Sequence, residues 1–200
     1  MNFIGIDLEG VLVPEIWVAL SDFTGVKDLK LTTKDVSNYR DLMKIRIDLL
    51  NKHKIKSNVL FKIAKKIEPF EGAKSFLCEI RKNYQVIVLS DTFFNLSSPI
   101  FKKLNYPTVF CHELVIDKKG MVNDINLCIE NHKKLTLKCM NQMNFNTIAI
   151  GDSFNDIGML NEANYGILFC SNKNIQNKFP SFDTCDDYSA LLNKINNFFQ

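Results

Sequence analysis

Residues 3–11 read FIGIDLEGV, and this stretch decides the fold. A short apolar run, residues 3–6, ends in two carboxylates, Asp7 and Glu9, and Gly10 follows directly. Short continuous apolar runs are typical of strands that are buried on both faces of a parallel sheet. The pattern therefore predicts that Asp7 lies at the carboxyl end of a first, central strand.

Three more apolar runs follow along the chain, separated by helical patterns. The runs are residues 86–89, 147–150 and 165–169, and the helical patterns are residues 72–84, 96–104, 133–143 and 155–163. Strands that alternate with helices predict an α/β domain with a doubly wound parallel sheet.

Residues 14–69 break this alternation because they are helical in pattern throughout. Asp35 or Ser37, and Ser57, are candidate N-caps for the longer helices. A helical block of this length exceeds a simple crossover, so we expect a small all-helical cap domain inserted after the first strand. The predicted boundaries are a core of residues 1–14 and 70–200 and a cap of residues 15–69.

Two further segments carry weaker patterns. Leu114-Val115-Ile116 and Ile125-Asn126-Leu127 flank Asp117-Lys118-Lys119-Gly120, which indicates a hairpin. Residues 172–200 predict a terminal helix and nothing more.

The composition excludes several classes of protein. The 25 basic and 22 acidic residues nearly balance, so no nucleic-acid partner is expected. The six cysteines include no C-x-x-C pair and the three histidines no H-x-x-x-H pair, which favours buried reduced thiols over a zinc site or disulfides. The chain has no signal-peptide pattern and no apolar run near the roughly 18 residues of a membrane span, so we expect a cytoplasmic protein without membrane partners.

Polar residues follow three of the predicted strands. They are Asp7-Leu8-Glu9, Ser90-Asp91-Thr92 and Gly151-Asp152-Ser153-Phe154-Asn155-Asp156. The carboxyl ends of parallel strands meet at one edge of a sheet, where ligands bind. Carboxylates gathered there would repel one another without a cation, and an all-oxygen ligand set favours Mg²⁺.

This arrangement predicts phosphoryl transfer. Asp7 would attack phosphorus and form an aspartyl-phosphate, and Glu9 would act as general acid and then as general base. Ser90 could hold a phosphate oxygen, and a lysine, Lys133 or Lys134, is needed to neutralise the phosphoryl group. For any one of these residues alone, a polar residue that caps a turn is an equally good interpretation.

Arg46 is unusual because it lies in the middle of an apolar helical stripe, between Leu42, Met43, Leu49 and Leu50. Either its side chain extends to a nearby Asp at the surface, or its guanidinium is held over the site to bind a substrate carboxylate. We favour the second hypothesis. Glu15 could then bind an ammonium group, and the pair would recognise a phospho-amino acid.

These motifs together resemble the haloacid dehalogenase superfamily. Within it, Asp7-Leu8-Glu9-Gly10-Val11-Leu12-Val13-Pro14-Glu15-Ile16-Trp17, Leu89-Ser90-Asp91-Thr92-Phe93 and Gly166-Ile167-Leu168-Phe169 resemble the bifunctional phosphoserine phosphatase/homoserine phosphotransferase subgroup. The resemblance covers essentially the whole chain. It implies a Mg²⁺-dependent enzyme with a helical cap, and a homodimer would fit it.

The resemblance also implies roles for particular residues. Asp7 is the nucleophile and Glu9 the acid/base; the metal is held by Asp7, the backbone carbonyl of Glu9 and Asp152, with Asp156 close by. Ser90 and Lys133 contact phosphate, and the other substrate-binding residues are Glu15, Arg46, Asp91 and Asn155. Two departures from the wider phosphoserine phosphatase pattern, Glu9 for a second Asp and Asp91-Thr92 for Gly-Gly, fit the phosphotransferase subgroup.

Two alternatives stay open from the sequence. The same chemistry could hydrolyse another small phosphomonoester, or the chain could be a receiver-like signalling module that is phosphorylated on Asp. Receivers, however, lack a large helical insertion. A dinucleotide-binding protein is poorly supported because no G-x-G-x-x-G follows any strand.

Overall fold

The computed structural model describes residues 1–32, 35–36 and 38–200. Its strands are β1 Asn2–Ile6, β2 Gln85–Phe93, β3 Val109–Ile116, β4 Val122–Asn126, β5 Asn146–Gly151, β6 Tyr165–Phe169 and β7 Asp183–Cys185. They form one sheet in the order β4-β3-β2-β1-β5-β6-β7. Neighbours are parallel, except that β3 and β4 are antiparallel.

Helices surround this sheet. They are α1 Ile16–Thr24, α2 Tyr39–Lys52, α3 Ser57–Ala64, α4 Ala73–Asn83, α5 Phe94–Lys103, α6 His132–Gln142, α7 Ile157–Glu162, α8 Lys173–Lys178 and α9 Tyr188–Phe199, with 3-10 turns at Lys27–Lys30 and Phe154–Asp156. The four helices predicted in the core are confirmed with small shifts, and the one predicted over residues 155–163 begins as a 3-10 turn.

Alternate residues of the central strands enter two separate cores. Ile4 and Ile6 of β1 pack into a cluster that includes Leu77 of α4, whereas Phe3 packs on the opposite face with Leu137 of α6. Because both faces are covered, the strands read as continuous apolar runs rather than as an alternating pattern. The predicted doubly wound α/β fold is confirmed.

The helical block between β1 and α4 is also present. The described residues between 14 and 69 contain helices and no strand. The block rests on the β3–β4 hairpin, where the Ser57 amide donates to the Gly120 carbonyl (2.8 Å) and Asn51 Nδ2 donates to the Val122 carbonyl (3.5 Å). Its division into a cap domain of residues 15–69 stays a prediction.

The predicted helix caps were wrong where they can be compared. Asn38 caps α2 by accepting a hydrogen bond from the Asp41 amide (3.2 Å), whereas Asp35 accepts from the Thr32 amide (2.9 Å). Ser57 is already the first residue of α3, because Lys56 holds the extended N-cap position. Ser37 lies outside the described residues.

Two other expectations need correction. Residues 172–200 contain α8 and β7 besides the terminal helix. The cysteines are free, as expected, but Cys128, Cys139 and Cys170 are exposed rather than buried. Cys128 lies two residues after β4, Cys139 lies in α6, and Cys170 directly follows β6. No helix in the described part of the chain is long and apolar enough to cross a membrane.

Candidate active site at the strand ends

The predicted site lies at the carboxyl ends of β1 and β5, where the strand order of the sheet reverses. The chain passes from β1 through β2 to one edge, whereas β5 and β6 lie on the other side of β1. Ligands bind at such a switch point. Asp7 follows β1 and Asp152 follows β5, and the Asp7 amide donates to the Ile150 carbonyl (2.9 Å), which fixes the two strand ends side by side.

Lys133 joins these strand ends from the first turn of α6. Its Nζ lies 2.9 Å from Asp7 Oδ1, 2.8 Å from Asp156 Oδ1 and 3.7 Å from Asp91 Oδ2. Burial alone would lower the pKa of Lys133, but the carboxylates outweigh burial and raise this pKa. Lys134 is exposed and lies near Glu162, so the structure brings Lys133 and not Lys134 into the site.

Three carboxylates of the site fit a divalent cation. Oxygens of Asp7, Asp152 and Asp156 lie within 4.8 Å of one another. Asp152 Oδ1 is buried without a hydrogen-bond partner among the described residues. Burial and the Asp156 carboxylate raise the pKa of Asp7, and the same two causes raise the pKa of Asp152 to about 7. A hard cation would relieve this repulsion and bind the free oxygen.

Asp156 differs from the other two carboxylates because both its oxygens already have protein partners. Oδ1 accepts from Lys133, and Oδ2 accepts from the amides of Asp152 (3.0 Å) and Ser153 (3.1 Å). It therefore shapes the loop that presents Asp152 and orients Lys133.

Gly10 is required by the same crowding. Its φ is +85°, and an added Cβ would lie 2.4 Å from Asp152 Cγ. A side chain there would displace Asp152, so the glycine both turns the chain and leaves room for the carboxylate.

Glu9 faces the cavity above Asp7 and is not part of the carboxylate trio. Its Oε2 accepts from the Ile16 amide (2.9 Å), which holds it at the start of α1. Burial, followed by the neighbouring Glu15 carboxylate, raises the pKa of Glu9 to about 8. A carboxyl group that is protonated at neutral pH can donate a proton to a leaving group.

Arg46 enters the site from α2. Its Nη2 donates to the Leu31 carbonyl (2.7 Å), and its guanidinium lies 4.5 Å from the centre of the Trp17 ring. Its Nε is buried without a partner among the described residues, and no ion pair joins it to a described carboxylate. Burial lowers the pKa of Arg46. Extension to a surface Asp is therefore not the interpretation that the contacts favour.

These groups share one small cavity of about 90 Å³. Eight of the predicted residues line it: Asp7, Glu9, Glu15, Arg46, Ser90, Asp91, Lys133 and Asn155. The other two, Asp152 and Asp156, lie beside it in the carboxylate trio. The structure thus brings all ten predicted residues together, while their individual roles remain predictions.

Sequence reasoning missed three side chains around Asp91. The Tyr39 hydroxyl donates to the Asp91 carbonyl (2.6 Å), and His112 Nε2 and His132 Nδ1 lie 3.4 Å and 3.8 Å from Asp91 Oδ1. The two histidines are far apart in the chain and form no motif, so no signal in the sequence could have paired them.

Comparison with known proteins agrees with this geometry. A family model described as a haloacid dehalogenase-like hydrolase matches residues 4–164. "Phosphoserine phosphatase ThrH" of Pseudomonas aeruginosa is 39% identical over 96% of this chain and 93% of its own length. A "Phosphoserine phosphatase" of Pseudomonas syringae pv. tomato is 38% identical over 93% of this chain and 78% of its own.

A solved structure is similar as well. It is described as "Phospho-Aspartyl Intermediate Analogue of Phosphoserine phosphatase", with a TM-score of 0.79 and 26% identity over 96% of this chain and 98% of that one. The match over residues 4–164 and the two close relatives decide against a receiver-like module. The chain belongs to the haloacid dehalogenase-like hydrolases and is a phosphomonoester hydrolase.

Proposed function

We propose that this protein is a Mg²⁺-dependent phosphoserine phosphatase that carries the phosphoryl group on Asp7 and can pass it to water or to an alcohol such as homoserine. The choice of substrate rests on Arg46. Its guanidinium is buried in the catalytic cavity, and its Nε has no hydrogen-bond partner among the described residues. A substrate carboxylate would supply the missing anion.

Three further observations support phosphoserine. Glu15 lines the same cavity and could bind the substrate ammonium group. The cavity volume of about 90 Å³ suits a small ester rather than a nucleotide or a peptide. Both Pseudomonas relatives are named phosphoserine phosphatases. In this proposal the helices of residues 15–69 form the cap that supplies Glu15 and Arg46.

A metal would occupy the carboxylate trio. Asp7 and Asp152 would hold it, together with the Glu9 backbone carbonyl, and bound Mg²⁺ would neutralise charge on the phosphoryl oxygens. Asp156, whose oxygens are already engaged, would remain outside its immediate ligands.

The first half-reaction transfers the phosphoryl group to the enzyme. An Asp7 oxygen forms a bond to phosphorus as the bond between phosphorus and the serine oxygen breaks. Protonated Glu9 gives its proton to that oxygen, so serine leaves as a neutral alcohol. Lys133 and Ser90 bind the remaining phosphoryl oxygens and stabilise their charge.

The second half-reaction releases Asp7. Glu9, now ionised, takes a proton from water or from an alcohol, whose oxygen attacks phosphorus while the bond to Asp7 breaks. Water gives phosphate, and homoserine gives phosphohomoserine. The similarity to the relative named ThrH supports the second outcome, as does Asp91-Thr92 in place of Gly-Gly. Hydrolysis of a different small phosphomonoester is the alternative.

The deciding experiment follows phosphoserine turnover with and without homoserine, measuring free phosphate and phosphohomoserine together. We expect phosphate alone without homoserine and both products with it. No preference for phosphoserine across a panel of phosphomonoesters would contradict the substrate. If homoserine leaves phosphate production unchanged and no phosphohomoserine forms, the enzyme only hydrolyses phosphoserine.

A further inference from the structure

Asp91 lies at the wall between two cavities. Together with Tyr39, Lys133 and Asn155, it lines both the catalytic cavity and a neighbouring cavity of about 500 Å³. Its Oδ2 accepts from Asn155 Nδ2 (2.9 Å) and faces the Lys133 ammonium. The direction of this one carboxylate therefore affects two residues that we place in the site.

The other oxygen of Asp91, Oδ1, faces His112. The Nδ1 atom of His112 accepts a hydrogen bond from the Cys128 amide (3.2 Å), so in the neutral ring the proton is on Nε2. Nε2, which then carries the proton, lies 3.4 Å from Asp91 Oδ1. The ring is only 4% exposed and is enclosed by the rings of Tyr39 and His132, so its orientation is fixed.

His132 lies on the same side of Asp91. Its Nδ1 is 3.8 Å from Asp91 Oδ1. Burial lowers the pKa of His132 to about 4, so the ring is neutral near pH 7. Burial alone would raise the pKa of Asp91, but Lys133 and then His112 outweigh it and lower this pKa.

A metal ion bound by Asp91, His112 and His132 is the competing interpretation, because their ligand atoms lie within 4.8 Å of one another. Histidines that bind a metal nearly always donate their second N–H to an acceptor. Here the second nitrogen of His112 faces an N–H donor instead, and that of His132 has no partner among the described residues. The hydrogen bonding of His112 thus favours a ring that presents its N–H to Asp91 over a metal ligand.

We infer that His112, packed against the ring of His132, is a positioning residue that holds the Asp91 carboxylate so that it aligns Lys133 and Asn155 for phosphoryl transfer. Neither histidine lines the catalytic cavity, so His112 acts through Asp91. Because this role rests on the proposed function, its test needs a substrate that works even if phosphoserine does not.

The test is a double-mutant cycle between His112 and Asp91. His112→Leu removes the donor, His112→Gln keeps a donor near the position of Nε2, and Asp91→Asn keeps the shape of the acceptor but loses its charge. Rates are measured with phosphoserine and with ethyl phosphate, which lacks the amino-acid groups. The exposed His53→Leu serves as the matched control, and melting temperatures are measured for all variants.

We expect His112→Leu to lower kcat by roughly tenfold with either substrate. In the Asp91→Asn background the same substitution should lower kcat by less than about twofold. His112→Gln should keep most of the kcat of the unaltered enzyme. Equal losses in both backgrounds, or a folded His112→Gln as impaired as His112→Leu, would overturn the inference. If His112→Leu does not fold, His112→Asn, whose shorter amide does not reach the position of Nε2, takes its place in the cycle. Stoichiometric Zn²⁺ binding that is lost in His112→Gln would establish the metal site instead. Activity with ethyl phosphate but not phosphoserine would contradict the proposed substrate alone.

Discussion

On one side of the catalytic cavity Lys133 lies among three carboxylates, whereas on the other side Arg46 has none within ion-pair distance among the described residues. We call the first the strand-end side, formed by Asp7, Asp152 and Lys133. The second is the helical side, formed by Glu15, Trp17 and Arg46.

The difference indicates which kind of ligand each side of the cavity would bind. The strand-end side has more carboxylates than cations, so its missing component is positive, as a divalent metal would be. The helical side has a buried cation whose Nε lacks a partner, so its missing component there is negative. Substitutions on the strand-end side should therefore lower kcat for every phosphomonoester. Substitutions on the helical side should raise KM for substrates with a carboxylate.

The largest expected effect is that of Asp7→Asn. The amide is a poor nucleophile, so kcat should fall by roughly 10⁴-fold or more with phosphoserine and with ethyl phosphate alike. Steady-state phosphate release measures it, and the exposed Asp28→Asn is the control. Substantial turnover by a folded Asp7→Asn variant would contradict the proposed mechanism.

Removal of the metal should be nearly as severe. Treatment with a chelator should reduce activity to background, and Mg²⁺ should restore it, because the strand-end side is short of positive charge. Asp152→Asn should raise the Mg²⁺ concentration that gives half the maximal rate. A chelated enzyme that keeps its rate would show that the carboxylates work without a cation.

Glu9→Gln should lower kcat by roughly 10²- to 10⁴-fold, the usual contribution of a general acid. In the unaltered enzyme the acid form of Glu9 is lost as pH rises through its pKa of about 8, so the rate of serine release should fall above that pH. The variant should lack this alkaline decline. Glu71→Gln, on the exposed surface, should retain it. The same decline in Glu9→Gln would assign it to another group.

Arg46→Ala is expected to have the smallest effect and the most selective one. Loss of a charged hydrogen-bond pair should raise KM for phosphoserine by roughly 10- to 100-fold. KM for phosphoethanolamine, which lacks the carboxylate, should change little, as should both values in the exposed control Lys44→Ala. An equal rise in KM for both substrates would remove the distinction between the two sides.

The strand-end side could largely be predicted from the sequence because each of its groups is tied to a local pattern. Asp7 and Asp152 directly follow buried apolar runs, and parallel strands must bring such ends together. Arg46 could be singled out in the sequence for another reason. A cation in an apolar helical stripe costs free energy unless it has an anionic partner. The choice of Lys133 over Lys134 needed the family resemblance.

The remainder depends on tertiary contacts. His112 and His132 meet only because β3 pairs with β2 and α6 packs beside them. Strand β7, Asp183–Cys185, was missed because three residues with one apolar side chain give no periodicity. The cap of α2 falls on Asn38 rather than on Asp35, because the chain becomes helical only at Tyr39.

The central claim is that Asp7 carries the phosphoryl group. The most direct measurement mixes the enzyme and Mg²⁺ with [³²P]phosphoserine, quenches in acid within a single turnover, and maps the label to peptides. We expect acid-stable, base-labile label on the peptide that contains Asp7, and none in Asp7→Asn. Phosphate released at full rate with no label on that peptide at any time would contradict the account.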